Sequence, residues 1–212
     1  MSKLAFIFPG QGAQKAGMGK DFYENSEAAR SFFDQAQKIL DFDLKEMCFG
    51  EHEELNLTEY TQPCMVSVCL AIVQELKKRG ITPDITAGLS LGEYAAVAAA
   101  GGMNELDAIK LVRRRGILMQ STVPAGEGAM AAVLGLDAKK IEEILESFEN
   151  VWIANYNCPG QIVITGLTNE VQQASLALKE AGAKRVVELK VSGPFHSLLL
   201  KPAGEALLKE ME

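Results

Sequence analysis

The segment GLSLGEY at residues 88–94 constrains the fold more than any other part of this sequence. It matches the G-x-S-x-G pattern, in which a serine occupies a strained turn between a strand and a helix while two glycines let those elements approach closely. Residues 85–87 can form a short buried strand, and residues 93–100 have high helix propensity. The pattern therefore predicts a strand, a tight turn that exposes the Ser90 hydroxyl, and a helix.

A serine in such a turn is a candidate nucleophile. The first N–H groups of the following helix have no partner within the helix, and the helix dipole favours negative charge there. An oxyanion that forms at Ser90 would therefore be stabilised. Because five-residue matches also arise by chance, an ordinary strand-to-helix turn is the alternative on this segment alone.

Composition limits the function classes. The chain has 212 residues, 48% of them hydrophobic, which is enough for one large domain or for a domain that carries a smaller insertion. Its net charge of -7 and lack of a basic tract argue against nucleic-acid binding. We expect a cytoplasmic protein without a membrane segment, since no signal-peptide pattern and no apolar stretch of about 18 residues is present.

The cysteines and histidines do not form a metal-binding pattern. No CxxC pair occurs, so reduced thiols are favoured over disulfides or metal ligands, and two histidines do not make a zinc site. The four cysteines are Cys48, Cys64, Cys69 and Cys158.

The first half of the chain contains a strand, a glycine loop and helices. Residues 4–8 form a continuous apolar run, which predicts a strand buried on both faces of a parallel sheet. The next loop, PGQGAQ at residues 9–14, can bring a backbone N–H close to a ligand, although a plain surface turn is equally compatible with it. It lacks the spacing of a phosphate-binding P-loop.

Two long helices flank the serine segment. Thr61 is a plausible N-cap for the first, which Gly80 ends, and Asn104 caps the second, which extends to about residue 121. The second contains three consecutive arginines, of which Arg115 has apolar neighbours on both adjacent turns. We therefore expect Arg115 to face inward, where it needs either a structural carboxylate or a bound anion as its partner.

Residues 128–191 alternate between short strands and helices in the order β-α-β, twice. This order predicts a ferredoxin-like α+β domain inserted into a larger α/β domain that comprises residues 1–127 and 192–212. The turn at residues 192–197 carries His196, the one histidine in an apolar setting. Because this turn returns the chain to the larger domain, we expect His196 at a cleft rather than in a purely structural position.

Seven segments occur together in this order: FIFPGQG, TQP, GLSLGE, RG, GAMAA, NCPGQ and GPFHS, at residues 6–12, 61–63, 88–93, 115–116, 128–132, 157–161 and 193–197. Together they resemble the malonyl-CoA:acyl carrier protein transacylases of bacterial fatty acid synthesis and the related acyltransferase domains of polyketide synthases. The sequence departs from this family in two ways. Leu89 occupies a position that is often histidine in the family, and the family continues beyond the last residue of this sequence, where it has a glutamine whose carbonyl orients the histidine.

The resemblance implies an α/β acyltransferase with a serine nucleophile turn and a ferredoxin-like small domain. Ser90 would attack malonyl-CoA, His196 would accept its proton, and the backbone N–H groups of Gln11 and Leu91 would form the oxyanion hole. The resulting malonyl-serine ester would pass its malonyl group to the pantetheine thiol of acyl carrier protein. Malonyl-CoA is then a substrate, and neither a cofactor nor a metal is needed.

The resemblance also implies two substrate contacts. Arg115 would hold the malonyl carboxylate through two parallel hydrogen bonds, a geometry that lysine cannot reproduce. Phe195 resembles the residue that precedes the histidine in malonyl-selective polyketide domains, and this correspondence is the less specific of the two.

Three other functions are alternatives to malonyl transfer for fatty acid synthesis. A serine thioesterase or hydrolase usually has an acid between serine and histidine, but Asp107 and Asp137 both look like residues of helix starts. A trans-acting acyltransferase of polyketide synthesis shares the chemistry, and a non-catalytic acyl-binding module would not need the serine and histidine.

Only two predicted strands, 4–8 and 85–87, lie outside the small domain, which is fewer than an open parallel sheet usually has. We therefore expect the 212 residues to be part of a longer polypeptide.

Overall fold

The computed structural model describes residues 3–124, 126–189, 191 and 193–211. The chain divides into two compact units, Met1–Ile117 and Leu118–Glu212. The first contains a short parallel sheet and the second a four-stranded antiparallel sheet, so the predicted mixed α/β class is confirmed. The predicted division into residues 1–127 with 192–212, and 128–191, stays a prediction.

Most of the first unit is helical. Its elements are β1 (Ala5–Phe8), α1 (Lys20–Asn25), α2 (Glu27–Gln37), α3 (Leu44–Phe49), a 3-10 turn (Glu53–Asn56), α4 (Thr58–Lys78), β2 (Ile85–Gly88), α5 (Gly92–Ala99) and α6 (Glu105–Thr122), whose last residues belong to the second unit.

Strands β1 and β2 pair in parallel, with Phe8 opposite Gly88. Phe8 is buried, whereas Ile7 is 78% and Ile85 is 61% exposed. The prediction that residues 4–8 are buried on both faces is therefore wrong for the described residues. The apolar sequence of β1 would allow both of its faces to be buried. In the described chain, helices pack against only one of them.

Helix α4 runs through the centre of the first unit's core, and twelve of its residues are buried. It begins at Thr58, so the prediction of an N-cap at Thr61 is wrong by one turn. The Thr61 hydroxyl instead donates to the carbonyls of Leu55 and Leu57, at 2.6 and 3.0 Å. The N-cap residue, Leu57, supplies no side-chain hydrogen bond, and the first turn is instead held by distant residues: Gln11 donates to Thr58 Oγ1 and Arg113 donates to the Glu59 carbonyl.

The other end of α4 is satisfied locally. Gly80 has a φ of 73°, and its N–H donates to the Lys77 carbonyl at 3.0 Å. The Ile81 N–H donates to the Leu76 carbonyl at 2.9 Å, which completes a Schellman motif. The predicted stop at Gly80 is confirmed, as is the Asn104 cap of α6, whose side chain accepts from the Leu106 N–H at 2.9 Å.

The second unit contains β3 (Gly128–Leu134), α7 (Ala138–Leu145), β4 (Val151–Cys158), β5 (Gln161–Leu167), α8 (Thr168–Glu180), β6 (Arg185–Glu188) and α9 (Lys201–Met211). The strand order is β4-β5-β3-β6, and every neighbouring pair is antiparallel. Helices α7 and α8 pack on one face of this sheet, against residues such as Val133 and Ile164. The opposite face packs against Phe195 and α9. Lys190 and Ser192, within the predicted last strand and turn, lie outside the described residues.

Two further observations concern the cysteines and the apolar character of the helices. All four cysteines are free thiols, which confirms the preference for reduced cysteines. In the described part of the chain, no helix combines the length and the apolar character that crossing a bilayer requires.

Candidate active site

Ser90 lies in the short connection between β2 and α5 and has a φ of 50°. A non-glycine residue in this left-handed region is strained by about 1 to 2 kcal/mol. The turn is closed by two backbone hydrogen bonds, from the Gly92 N–H to the Leu89 carbonyl at 2.9 Å and from the Glu93 N–H to the Ser90 carbonyl at 3.1 Å. The surrounding backbone therefore holds a conformation that serine does not prefer.

The flanking glycines allow this turn to rest on the end of β1. A side chain at Gly88 would collide with the backbone of Gly92, and one at Gly92 would collide with the carbonyl of Phe8. In addition, the Leu89 N–H donates to the Phe8 carbonyl at 3.1 Å. Both glycines are thus required by close approach of the backbone, as the sequence pattern predicts.

The predicted oxyanion residue Gln11 lies in a loop that packs against the same turn. A Cβ at Gly10 would lie 2.9 Å from the Leu89 carbonyl oxygen. Gln11 Nε2 donates to Thr58 Oγ1 at 3.1 Å, and this bond ties the loop to the first residue of α4. In the part of the chain that the structure describes, no acceptor binds the backbone N–H of either Gln11 or Leu91, the second predicted oxyanion residue.

Arg115 projects from α6 toward α5. Its guanidinium carbon lies 5.4 Å from the centre of the Tyr94 ring. Burial lowers the pKa of the Arg115 guanidinium, and a hydrogen bond to Tyr94 and the charge of Glu93 only partly oppose this shift. Among the described residues no carboxylate lies within ion-pair distance of Arg115. The side chain is therefore a largely desolvated cation that lacks an anionic partner in the described chain.

Arg113, which the sequence analysis did not single out, is more deeply buried, with 9% of its surface exposed. Its Nε and Nη2 donate to the two carboxylate oxygens of Asp41 at 2.9 and 3.0 Å, and its Nη1 donates to Glu59 Oε2 at 3.0 Å. The guanidinium also lies over the rings of Phe42 and Tyr60. Arg115 faces inward toward Tyr94, as expected, but Arg113 faces inward as well. The residue pattern of α6 did not predict the burial of Arg113, because its partners come from distant parts of the sequence.

A proline explains one further contact of Arg113. Pro63 lies inside α4 and has no N–H to donate to the carbonyl of Glu59, four residues earlier. Arg113 Nη1 donates to this carbonyl instead, at 2.8 Å.

Burial alone would lower the pKa of the Arg113 guanidinium, but hydrogen bonds and charge interactions with Asp41 and Glu59 raise it overall. The hydrogen bond from Arg113 holds the pKa of Asp41 below its ordinary value. Arg113 therefore has a structural role.

The predicted residues Phe195 and His196 lie in the second unit, in the turn before α9. His196 is exposed and has a φ of 59°, while Phe195 is buried in the apolar cluster on one face of the antiparallel sheet. The Ser197 hydroxyl donates to the Pro194 carbonyl at 2.7 Å. A side chain at Gly128 would collide with the Pro194 ring, so β3 approaches this turn closely.

Strain singles out the two predicted catalytic residues. Among the residues that the structure describes, Ser90 and His196 are the two non-glycine residues with positive φ. Residues held in such conformations cluster at functional sites, because the surrounding structure must enforce them.

The sequence of the chain is similar to that of known acyltransferases. Residues 5–212 match the acyl transferase domain family. The malonyl CoA-acyl carrier protein transacylase of Bacillus subtilis (strain 168) is 50% identical over 217 residues, which cover 100% of this chain and 68% of that protein. The enzyme of the same name from Staphylococcus aureus (strain MSSA476) is 47% identical over 206 residues, which cover 95% and 66%. The chain thus spans about two thirds of the length of these curated relatives.

Solved structures agree with these relatives. The crystal structure of malonyl CoA-acyl carrier protein transacylase from Clostridium perfringens superposes with a TM-score of 0.93 at 43% identity, over 99% of this chain and 67% of that one. A malonyl-transacylase solved in complex with a type II polyketide synthase acyl-carrier protein gives a TM-score of 0.95 at 40% identity, over 99% and 70%. The chain therefore belongs to the acyl transferase domain family and, within it, to the malonyl CoA-acyl carrier protein transacylases.

Proposed function

We propose that this chain transfers a malonyl group from malonyl-CoA to the pantetheine thiol of acyl carrier protein, for fatty acid synthesis. Its relatives bear the name of this activity, and one was solved with an acyl-carrier protein. The observation that carries the residue assignment is the positive φ of Ser90 and His196, the two residues that the family resemblance assigns to catalysis. No cofactor or metal takes part in the proposed reaction, and a cytoplasmic location stays a prediction.

Ser90 is the proposed nucleophile, in a nucleophile turn between β2 and α5. As its oxygen attacks the thioester carbonyl, the proton of its hydroxyl passes to His196. Collapse of the tetrahedral intermediate breaks the carbon–sulfur bond, and the leaving thiolate of coenzyme A takes the proton from His196. The thiol of acyl carrier protein then attacks the malonyl-serine ester by the same sequence, which returns the proton to Ser90.

The backbone N–H groups of Gln11 and Leu91 are the proposed oxyanion hole. Leu91 is the N-cap residue of α5, where the helix dipole favours negative charge. The hydrogen bond from Gln11 to Thr58 fixes the loop that carries the other donor, so little reorganisation is needed when the oxyanion forms.

Arg115 is the proposed ligand of the malonyl carboxylate. The support is electrostatic, since a desolvated guanidinium without a carboxylate partner in the described chain gains most from a bound anion. Phe195 is proposed as a substrate contact on the resemblance alone. Its packing against residues such as Met130 and Ala203 also fixes the turn that carries His196.

The second unit is proposed to be a ferredoxin-like domain. In support, its elements follow the order β-α-β-β-α-β, the four strands are antiparallel, and the first and third strands of the unit, β3 and β5, are central in the sheet. Both helices of this repeat, α7 and α8, contribute to one apolar cluster on the same face.

Acylation of the purified protein by malonyl-CoA tests the function. Intact mass spectrometry should show one malonyl adduct and a stoichiometric release of coenzyme A, and added holo acyl carrier protein should remove the adduct as malonyl carrier protein. A thioesterase would instead discharge the adduct to water at the same rate with and without carrier protein. A binding module would form no adduct.

The role of His196 needs its own variant. General-base assistance contributes roughly 100- to 10,000-fold, so His196→Ala should slow adduct formation by that factor. His52 is the matched control, because it lies in a charged segment and pairs with Glu46 at 3.0 Å. His52→Ala should acylate at the unmodified rate, and an equal loss in both variants would remove His196 as the base.

A further inference from the structure

We propose that Tyr94 positions Arg115 and thereby helps to set the preference for acyl groups that carry a carboxylate. The inference rests on the proposed malonyl transfer, in which Arg115 binds the substrate carboxylate. Tyr94 itself does not touch the reacting atoms in this proposal.

The geometry of the pair supports a positioning role. The Arg115 guanidinium carbon lies 5.4 Å from the Tyr94 ring centre, which is within the range of a cation–π contact. A cation–π contact does not require the guanidinium N–H groups as hydrogen-bond donors, and those are the groups that bind a carboxylate with two parallel hydrogen bonds.

Tyr94 also replaces part of the support that an ion pair would give. Burial disfavours the charged form of Arg115 and lowers its pKa, and a hydrogen bond with Tyr94 opposes this shift. Arginine side chains lose considerable rotamer freedom when they are ordered. A tyrosine that orders the guanidinium before substrate arrives therefore lowers the cost of binding the carboxylate.

The position of Tyr94 in the fold connects selectivity to catalysis. Tyr94 lies in the first turn of α5, and its N–H donates to the carbonyl of Leu91 at 3.2 Å. The same short helix follows directly on Ser90. One continuous segment, the turn at Ser90 and the first turn of α5, thus carries both the proposed nucleophile and the ring that orients the carboxylate ligand.

Arg113 shows what is distinctive about this contact. It also lies over aromatic rings, those of Phe42 and Tyr60, at 5.2 and 4.9 Å. However, two carboxylates already occupy the edge of its guanidinium. An aromatic contact alone therefore does not indicate an anion site. It indicates one when the arginine also has no carboxylate partner in the described chain, as for Arg115.

Acylation rates with two substrates test the proposal. Single-turnover formation of the Ser90 adduct is measured by intact mass with malonyl-CoA and with acetyl-CoA, for the unmodified protein, Tyr94→Leu, Tyr94→Phe and Arg115→Ala. The control is Tyr156→Phe, because Tyr156 is 60% exposed and bonds only to Glu142. We expect Tyr94→Leu to lower the malonyl rate roughly 3- to 30-fold and the acetyl rate by less than about twofold. Tyr94→Phe, which keeps the ring, should lose less.

A second readout remains valid if a variant is poorly active. The Arg115 Nε–H resonance, identified by its loss in Arg115→Ala, should be observed in the unmodified protein and in Tyr156→Phe and should broaden through solvent exchange in Tyr94→Leu. If Tyr94→Leu is unfolded, Tyr94→Met, which also lacks the ring, replaces it in the same two measurements.

The possible failures are distinguishable. An unmodified protein that forms no malonyl adduct would overturn the proposed function and this inference with it. If the adduct forms and Arg115→Ala lowers the malonyl-to-acetyl ratio, while the Tyr94 variants leave the ratio unchanged or lower both rates equally, the function stands and the positioning role of Tyr94 is wrong.

Discussion

Arg113 and Arg115 lie two residues apart on one helix and illustrate two different uses of a buried cation. Arg113 is enclosed by Asp41, Glu59 and two aromatic rings. Arg115 has an aromatic ring and no carboxylate at ion-pair distance in the described chain. If depth of burial were the criterion, Arg113 would be the functional residue. The criterion that identifies Arg115 is the absence of a carboxylate partner in the described chain. A buried charge whose partners are all within the protein stabilises the fold, and one that lacks a counter-ion is suited to a ligand.

The largest expected effect comes from replacing Ser90, the proposed nucleophile. Ser90→Ala should form no malonyl adduct by intact mass, while the free energy of unfolding in urea stays within about 1 kcal/mol. Ser90→Gly is the informative companion, because glycine adopts a φ of 50° without strain. It should also form no adduct and should gain up to about 1 kcal/mol of stability. An adduct that persists in either variant would place the nucleophile elsewhere.

The next effect is on stability and concerns the enclosed arginine. Arg113→Met leaves the Glu59 carbonyl and the partly buried Glu59 carboxylate without their donor, while the exposed Asp41 carboxylate regains water. We therefore expect the free energy of unfolding to fall by about 1 to 3 kcal/mol. Lys110→Met, on the exposed side of α6, removes only a surface pair with Asp107 and should cost less than about 1 kcal/mol.

Substrate selectivity should not change in Arg113→Met, in contrast to its stability. In Arg113→Met protein that remains folded, the ratio of malonyl to acetyl acylation should be unchanged. A lowered ratio would show that Arg113 acts on substrate and would break the distinction between the two arginines.

The third effect is on substrate preference. Arg115→Ala removes the proposed ligand of the carboxylate, and a hydrogen bond to a charged group contributes about 1.5 to 3 kcal/mol, so malonyl acylation should fall roughly 10- to 150-fold. Acetyl acylation should change little, since that group has no carboxylate. If both rates fall equally, Arg115 is structural and resembles Arg113 after all.

The smallest effect concerns acid stability. Arg113 lowers the pKa of Asp41 below its ordinary value of 3.8, so the pair stabilises the fold above that pH, and this contribution is lost as the pH falls through the lowered pKa. Unfolding in urea between pH 5 and pH 2 should therefore show a shallower loss of stability in Asp41→Asn than in the unmodified protein. In an Arg113→Met background, Asp41→Asn should change the slope less, because only the backbone hydrogen bond of Asp41 then lowers its pKa. An equally large slope difference there would show that Arg113 is not the main cause of the lowered pKa of Asp41.

Local signals in the sequence predicted much of the fold. The Asn104 cap, the Gly80 stop and the glycines around Ser90 act on neighbouring backbone, so residue type and spacing were sufficient to identify them. The start of α4 and the burial of Arg113 were not predictable in this way. Both depend on pairings between residues far apart in the sequence, which periodicity within one helix does not contain.

The candidate site shows the same division. Ser90 follows from a five-residue pattern, and the apolar neighbours of Arg115 and His196 singled out those two residues. The roles of Gln11, Arg115 and His196 followed only from several motifs that occur together in the order of a known family. The contact between Tyr94 and Arg115 had no sequence signal, because α5 and α6 approach each other only in the folded chain.

The two ends of α4 have different consequences for the order of folding. Its C-terminal end is completed by the Gly80 motif, which needs only adjacent residues and can form as soon as the helix nucleates. Pro63 lies in its second turn and leaves the Glu59 carbonyl of the first turn without a donor. Arg113, from the later helix α6, donates to this carbonyl instead. Helix α4 should therefore grow from its C-terminal end, and its first turn, with the loop that it holds through Thr58, should become ordered only when α6 docks.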